Sequence, residues 1–456
     1  MRPPRAGPSK DWPHRESTHH KMTSTQNNIA WFRYTAPYIK AHRGGTFVVY
    51  LGNGCLDAPT LTTLVHDLAL LHSLGVRLVL VHATRAAIDA SLNTRGQPGT
   101  FHQGIRVTDE ATLTLASEIA SQQRLKLEQL ISMGLPNTPL RGARLRVMSG
   151  NIVTAKPLGI HEGVDFQHSG KVRRVDATAI RAILDHDAIA LISPLGYSPA
   201  GELFSVSASE IAEAVAITLG ADKLIFLDRQ PGLNNRDGSL IRQSTVADAM
   251  QLDIADPEQA RLRDAACHAC SNGVQRCHLI SFDREGALLE ELFTHDGAGT
   301  LIAQNPYEQA RPADIDDIAS IVELIRPLEE SGALVKRSRE RLEEEIHHFV
   351  ILERDGRVIA CAALYPYEEA KVGEVACVAT HPDYRGTGRA EQLLHELLAR
   401  ASAKALTHVF ALTTQGTHWF LEQGFATGTQ DQLPEEKQRL YNWQRNASVL
   451  IRPVSP

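Results

Sequence analysis

At 456 residues the chain is longer than one ordinary hydrophobic core supports, so two or more domains are expected. Hydrophobic residues make up 43 %, the formal charge is −6, and no apolar run approaches the ~18–20 residues that span a bilayer. Such a composition fits a water-soluble protein and gives no electrostatic reason to expect nucleic acid or a membrane as partner.

Residues 1–28, MRPPRAGPSKDWPHRESTHHKMTSTQNN, are polar and rich in Pro, Ser and His. Asp11, Glu16 and the prolines fit an organellar presequence poorly. The stretch reads as a disordered leader, or as an over-long start with Met22 as the real first residue. The six cysteines are scattered and no apolar secretory segment precedes them, which points to reduced thiols and a cytoplasmic location.

From 29 to 303 short apolar runs alternate with helical patterns. The runs are GTFVVYLG (45–52), VRLVLVHA (76–83), AIALISPL (188–195), DKLIFLD (222–228) and VQRCHLI (274–280). Between them, LTTLVHDLALLHSLG (61–75) and SASEIAEAVAITLGA (207–221) carry the 3.6-residue period. This alternation implies an α/β domain with a doubly wound, mostly parallel sheet buried on both faces. Ligands of such sheets bind outside the carboxyl ends of the strands.

Late in this half, Cys267-His268-Ala269-Cys270 and Cys277-His278 invite a zinc reading. A structural zinc needs four convergent ligands. Here the first pair sits in a helical pattern and the second in an apolar strand, so buried thiols are expected and no metal.

A Gly-rich stretch, THDGAGTLIAQNPYEQARPADI (294–315), reads as a linker. The second domain, 304–456, then runs α, β, α. A helix opens on Asp314, a hairpin turns at Asp355-Gly356, and GEVACVATHP (373–382) forms a buried strand. EQLLHELLARASA (391–403) is a helix and THVFALTT (407–414) a further strand. The charged runs RSRERLEEE (337–345) and LPEEKQR (433–439) read as solvated faces.

Between the buried strand and its helix lies Arg385-Gly386-Thr387-Gly388-Arg389-Ala390. Two glycines permit backbone conformations that a Cβ forbids, so several N–H groups can face one point. The helix N-terminus adds about half a positive charge there, and Arg385 and Arg389 add full ones. That combination suits a pyrophosphate.

In this register, R-x-x-G-x-A after a strand and before a helix, residues 306–456 resemble the GNAT family of N-acetyltransferases. The resemblance implies that residues 385–390, with Cys377 and Val378 on the preceding strand, bind acetyl-coenzyme A. It implies Glu374 as the base that takes the proton of an amine, with Thr413 or Tyr441 protonating the leaving thiolate. Arg337, Arg445, Ser448 and the main chain of Cys377 would bind the substrate, the arginines by clamping carboxylates. Ala447 occupies the position where relatives carry a small hydroxyl residue, which leaves Ser448 to supply it after a register shift. In this family the amine attacks the thioester directly, so Cys377 is not expected to form an acetyl-enzyme.

The first half resembles the acetylglutamate kinase branch of the amino-acid kinase fold. WFRYTAPYIKAHRG (31–44), FHQGIRVTDEATL (101–113) and GALLEELFTHDGAGTLI (286–302) carry that likeness. The kinase chemistry does not follow. Tyr50-Leu51-Gly52-Asn53-Gly54 lacks the lysine that meets a transferring phosphoryl group, and Val81-His82-Ala83-Thr84-Arg85 lacks a Gly-rich loop. A kinase-like domain ahead of a GNAT domain is the architecture of the N-acetylglutamate synthases. The pairing implies acetyl transfer to L-glutamate, L-arginine as an allosteric effector with Glu291 on its guanidinium, and a homohexamer. The alternatives are a bifunctional synthase–kinase, or acetylation of another amine under an amino-acid sensor.

Overall fold

The structure is a computed structural model. It describes residues 24–133, 145–235, 237–294, 296–305, 308–354, 357–386, 388–439 and 447–454. The chain divides into two compact units, residues 1–305 and 306–456. No helix among the described residues is long and apolar enough to cross a membrane.

The first unit is built on an eight-stranded sheet in the order Gln243–Thr245, Thr300–Ala303, Arg276–Ser281, Lys223–Asp228, Thr46–Leu51, Arg77–His82, Ala188–Ile192 and Arg146–Met148. Neighbours are parallel except where Thr300–Ala303 runs against Arg276–Ser281. The central run TFVVYL serves both faces, because side chains alternate along a strand. Val48 and Tyr50 enter one core with Val79, Phe226 and Ile211, while Phe47, Val49 and Leu51 enter the other with Leu68, Leu80 and Leu127. Helices Leu61–Ser73 and Ala208–Leu219 lie where the period placed them.

Two expectations need correction here, and one feature is new. The stretch 294–315 is not a linker throughout: TLIA is a buried strand between Gln243–Thr245 and Arg276–Ser281, and Gln309–Pro312 already belongs to the second sheet. Glycine-rich flanks hid a four-residue strand whose pairing partner lies elsewhere in the chain. The N-terminal helix starts at Ser24, inside the stretch read as leader. Four short strands, Val153–Pro157, Ser169–Val175, Leu195–Tyr197 and Leu203–Val206, close into a small barrel that the sequence pattern did not announce.

The second unit is a seven-stranded sheet in the order Gln309–Pro312, Phe349–Arg354, Arg357–Tyr367, Val372–Thr380, His408–Thr413, Ser448–Pro453 and Ala426–Thr427. Phe349–Arg354 and Arg357–Tyr367 pair antiparallel; the expected turn at Asp355-Gly356 lies outside the described residues. Asp314 opens a short 3-10 turn in a capping box with Asp317, and the helix Ile318–Glu330 follows. One parallel pair, Val372–Thr380 with His408–Thr413, is bridged by the helix Arg389–Ala403.

Candidate active site

That parallel pair is short. It runs from Val372↔His408 to Glu374↔Phe410 and then stops, while Val372–Thr380 keeps its other neighbour as far as Thr380↔Ala360. A fork opens in the sheet at Glu374. Just beyond, the register with Arg357–Tyr367 slips by one residue, and Cys377 takes a left-handed backbone conformation, φ 52°. A bulge with a non-glycine residue at positive φ is strained backbone that the surrounding sheet must hold.

Glu374 is the charged residue of an otherwise apolar strand and is only 7 % exposed. Its Oε2 accepts from Lys437 Nζ at 2.7 Å and from Tyr367 Oη at 3.3 Å. Lys437 comes from the short helix Glu435–Arg439. That helix is seated by Leu433, which is buried among Val372, Phe410 and Val449. The run LPEEKQR is therefore not simply a solvated face: one leucine is buried and one lysine pairs inward.

Cys377 is buried, and its carbonyl accepts from Cys361 Sγ at 3.6 Å. Burial pushes its thiol up to about 11, against the pull of the Arg337 charge and with the help of Glu374. The sulfur stays protonated at neutral pH and is no ready nucleophile.

Arg337 stands near the same point. Its charge is favoured by Cys377, Tyr365 and Glu374 in spite of the desolvation it suffers. Its backbone N–H donates to Glu329 Oε1 at 2.9 Å, its Nη1 to the Val335 carbonyl at 3.1 Å, and its guanidinium lies 6.0 Å from the Tyr365 ring centre. The Nε is buried with no partner among the described residues. Tyr365 in turn donates to Glu345 at 2.8 Å, and Glu345 accepts from Arg341 at 2.7 Å. RSRERLEEE is thus also more than a solvated face, since it supplies Arg337, Glu345 and the buried Leu342.

At the other end of the strand, Pro382–Tyr384 makes a 3-10 turn and the chain passes through Gly386 (φ 82°) and Gly388 (φ 77°) into the helix. The N–H groups of both glycines have no acceptor among the described residues. Arg385 is exposed, with its Nε 3.3 Å from the Thr380 carbonyl. Val378 and Ala390 are half-buried on either side of the turn.

Arg389 departs from expectation. Its side chain is 8 % exposed and is held by Glu308 through Nε at 2.8 Å and through Nη2, with Nη1 on the Tyr384 carbonyl at 3.0 Å. Glu308 also accepts from buried Arg354 at 3.1 Å. A carboxylate contributed from a distant point of the chain draws this guanidinium inward, so it braces the turn instead of presenting charge on it. Thr387, Tyr441 and Arg445 lie outside the described residues.

Thr413 and Ser448 are directly opposed on neighbouring strands. Thr413 Oγ1 accepts from the N–H groups of Gly416 at 2.8 Å and Gln415 at 3.3 Å, which caps the turn after its strand.

In the first unit, Glu291 is buried rather than solvated. His278 Nδ1 donates to its Oε1 at 2.7 Å, and the N–H groups of Ala298 and Gly299 donate to Oε2 at 2.6 and 2.8 Å. Burial alone would raise its pKa, but His278 and these N–H groups hold it below the usual carboxylate value. Where a kinase would hold phosphate, Asn53 accepts from the Ala86 N–H and donates to Glu258, both at 3.3 Å. Cys267, Cys270 and Cys277 are core thiols, while His268 turns outward to Glu213. Sequence reasoning missed Lys437, Tyr367, Tyr365 and Glu308. Of these, the Tyr-x-Tyr at 365–367 was visible as two phenols at strand spacing.

Residues 44–281 match the amino acid kinase family and residues 316–425 the acetyltransferase (GNAT) family. An amino-acid acetyltransferase of Pseudomonas putida is 47 % identical over 93 % of this chain and 99 % of its own length. One of Azotobacter vinelandii is 49 % identical over the same shares. The crystal structure of N-acetylglutamate synthase from Neisseria gonorrhoeae with coenzyme A and L-arginine is similar at a TM-score of 0.87 and 36 % identity, covering 94 % of this chain and 99 % of that one. A second structure of that protein, with coenzyme A and N-acetyl-glutamate, gives 0.61 at 37 % identity and the same coverage.

Proposed function

The chain belongs to the amino-acid acetyltransferase family, and on that premise we propose that it makes N-acetyl-L-glutamate from acetyl-coenzyme A and L-glutamate. This is the first step of arginine biosynthesis, and L-arginine would regulate it through the kinase-like unit. The observation that carries the reading is the fork: a buried carboxylate, Glu374, and a half-buried arginine, Arg337, act on the same bulged residue, Cys377.

In this reading the glycine turn and Arg385 bind the pyrophosphate of acetyl-coenzyme A through backbone N–H groups and one exposed charge. Glu374 takes a proton from the substrate ammonium, and the freed amine attacks the thioester carbonyl beside the bulge. The carbon–sulfur bond then breaks as the nitrogen gives up its second proton, which Thr413 or Tyr441 relays to the thiolate. Arg337, Arg445 and Ser448 hold the two carboxylates of glutamate. The high thiol pKa of Cys377 supports direct attack over an acetyl-cysteine. Glu291, ionised and internally hydrogen-bonded, is the proposed partner of the effector's guanidinium.

The six cysteines are free and buried, which supports a reducing, cytoplasmic setting. The helix Ser24–His42 exposes Trp31 and Phe32 at 58 % and 61 %, which supports assembly of copies, in our reading a homohexamer. The test is release of coenzyme A with each common amino acid, with and without millimolar L-arginine. Glutamate-selective turnover that responds to arginine is expected. Turnover only with another amine would overturn the substrate assignment.

A further inference from the structure

Lys437 is bound to the carboxylate that the chemistry needs, and the reaction as derived gives it no task. We propose that Lys437 is a positioning residue for Glu374: with Tyr367 it fixes Oε2 and leaves Oε1 to receive the proton of the substrate ammonium. The inference rests on the reading of Glu374 as the base.

Both donors converge on one oxygen, Lys437 Nζ at 2.7 Å and Tyr367 Oη at 3.3 Å, and no described residue donates to Oε1. Neither side chain of the ion pair is freely solvated, at 23 % exposure for Lys437 and 10 % for Glu374. Exposed pairs of this kind contribute little, but a half-buried one acts through a lower dielectric.

Nor is Lys437 a surface lysine that happens to reach inward. Thr429 and Gln432 form a capping box ahead of it, Leu433 is buried against the sheet, and Lys437 N–H donates to the Pro434 carbonyl at 2.9 Å. Gln438 ties the same segment to the Leu433 carbonyl at 2.7 Å. The backbone that carries the amine is thus fixed before the side chain extends.

The groups around Glu374 have compatible charges. Tyr367 comes from the neighbouring strand, and its phenol is pushed above the ordinary tyrosine value by burial and by Glu374 itself. It therefore remains a donor across the working range. Cys377 stays protonated on Glu374's own strand, Arg337 adds positive charge, Phe410 opposite is apolar, and Glu436 acts on Tyr367 from the short helix. Lys437 is the cation in hydrogen-bond contact with the carboxylate. Removing it leaves Oε2 held by the longer Tyr367 contact alone, so the carboxylate is free to turn Oε1 away from the ammonium.

One proton leaves the ammonium nitrogen for Oε1, and the nitrogen lone pair forms the bond to the acetyl carbon. The sulfur departs with the electrons of the carbon–sulfur bond and takes up the nitrogen's second proton, relayed by Thr413 or Tyr441, to leave as the thiol. Oε1 afterwards returns its proton to water.

The experiment measures kcat and KM of the full chain from pH 6 to 9.5 for wild type, Lys437→Met, Lys437→Arg and Tyr367→Phe. For Lys437→Met, kcat should fall about tenfold, the cost of a misplaced catalytic group. KM for acetyl-coenzyme A should be unchanged, and Lys437→Arg should recover most of the loss. Tyr367→Phe should lower kcat the same way by less. A Lys437→Met enzyme with the wild-type kcat overturns the proposal, as does a loss that Lys437→Arg does not rescue or one that falls equally on KM for acetyl-coenzyme A. Should Lys437→Met fail to fold, a wild-type kcat in Tyr367→Phe overturns the assignment of Oε2. A wild-type protein inert towards glutamate would instead sink the reading of the reaction.

Discussion

Each unit contains a buried parallel strand that turns into a helix at its carboxyl end, and the two turns differ in what fills them. After Arg77–His82 the chain reaches the helix Arg85–Thr94 through Ala83 and Thr84, both buried. Ala83 N–H donates to the Leu51 carbonyl at 2.8 Å, and the Asn53 side chain takes the N–H of Ala86. The turn satisfies itself. After Val372–Thr380, the two glycines at positive φ keep their N–H groups unclaimed by described residues, and Arg385 stands exposed beside them. One topology therefore gives a closed joint in the first unit and, among the described residues, an open one in the second. The lesson is that strand–turn–helix topology alone does not decide what a turn can hold; glycine conformation and the N–H groups left without an acceptor among the described residues separate the two.

The comparison breaks most sharply on the chemistry. Glu374→Gln should lower kcat by about 10²–10⁴-fold, the usual contribution of general base catalysis, whereas Asn53→Ala in the closed joint should leave kcat unchanged. Coenzyme A release measures both, and a normal rate in Glu374→Gln would remove the base from the second unit. The two arginines beside the open turn should separate next. Arg389→Ala breaks a buried ion pair and should cost on the order of 3 kcal/mol, read as a lower Tm. Arg385→Ala should leave Tm within a degree and raise KM for acetyl-coenzyme A severalfold. Equal effects on KM with no effect on Tm would restore Arg389 as a phosphate ligand.

Gly388→Val forces a side chain into φ 77° and should raise KM for acetyl-coenzyme A about tenfold, since a β-branched residue at positive φ costs ~1–2 kcal/mol. The smallest effect lies in the first unit. Asp67 is buried on the helix Leu61–Ser73 beside Glu285, and burial pushes its carboxyl up to about 6. A carboxyl raised in the folded state binds more protons there than in the unfolded chain, so its contribution to stability weakens as pH rises through 6. Asp67→Asn should therefore raise Tm by ~2–4 °C at pH 8 and by less at pH 5. A larger gain at the lower pH would reverse the sign and refute the assignment.

Much of this was legible in the sequence for a local reason. Strands such as TFVVYL and KLIFLD have unbroken apolar centres because both faces are covered, and Gly386 and Gly388 mark a left-handed path that few other residues take. What escaped was non-local. Lys437 meets Glu374 across 63 residues and Arg389 meets Glu308 across 81, and no periodicity encodes either pairing. The small barrel escaped because SGKVRRV is charged along its length and LGY is only three residues long, and these strands close into a barrel rather than join a long apolar ladder.

Glu308 sets a limit on how the protein can be cut. It lies just beyond the division between the units, yet its carboxylate serves both Arg354 and Arg389 inside the second. A fragment beginning after it would carry two guanidinium groups into its interior without the anion that accompanies them. Protease trimming from the amino-terminal side should therefore stall before residue 308, and the shortest autonomous acetyltransferase should retain that glutamate at its very tip.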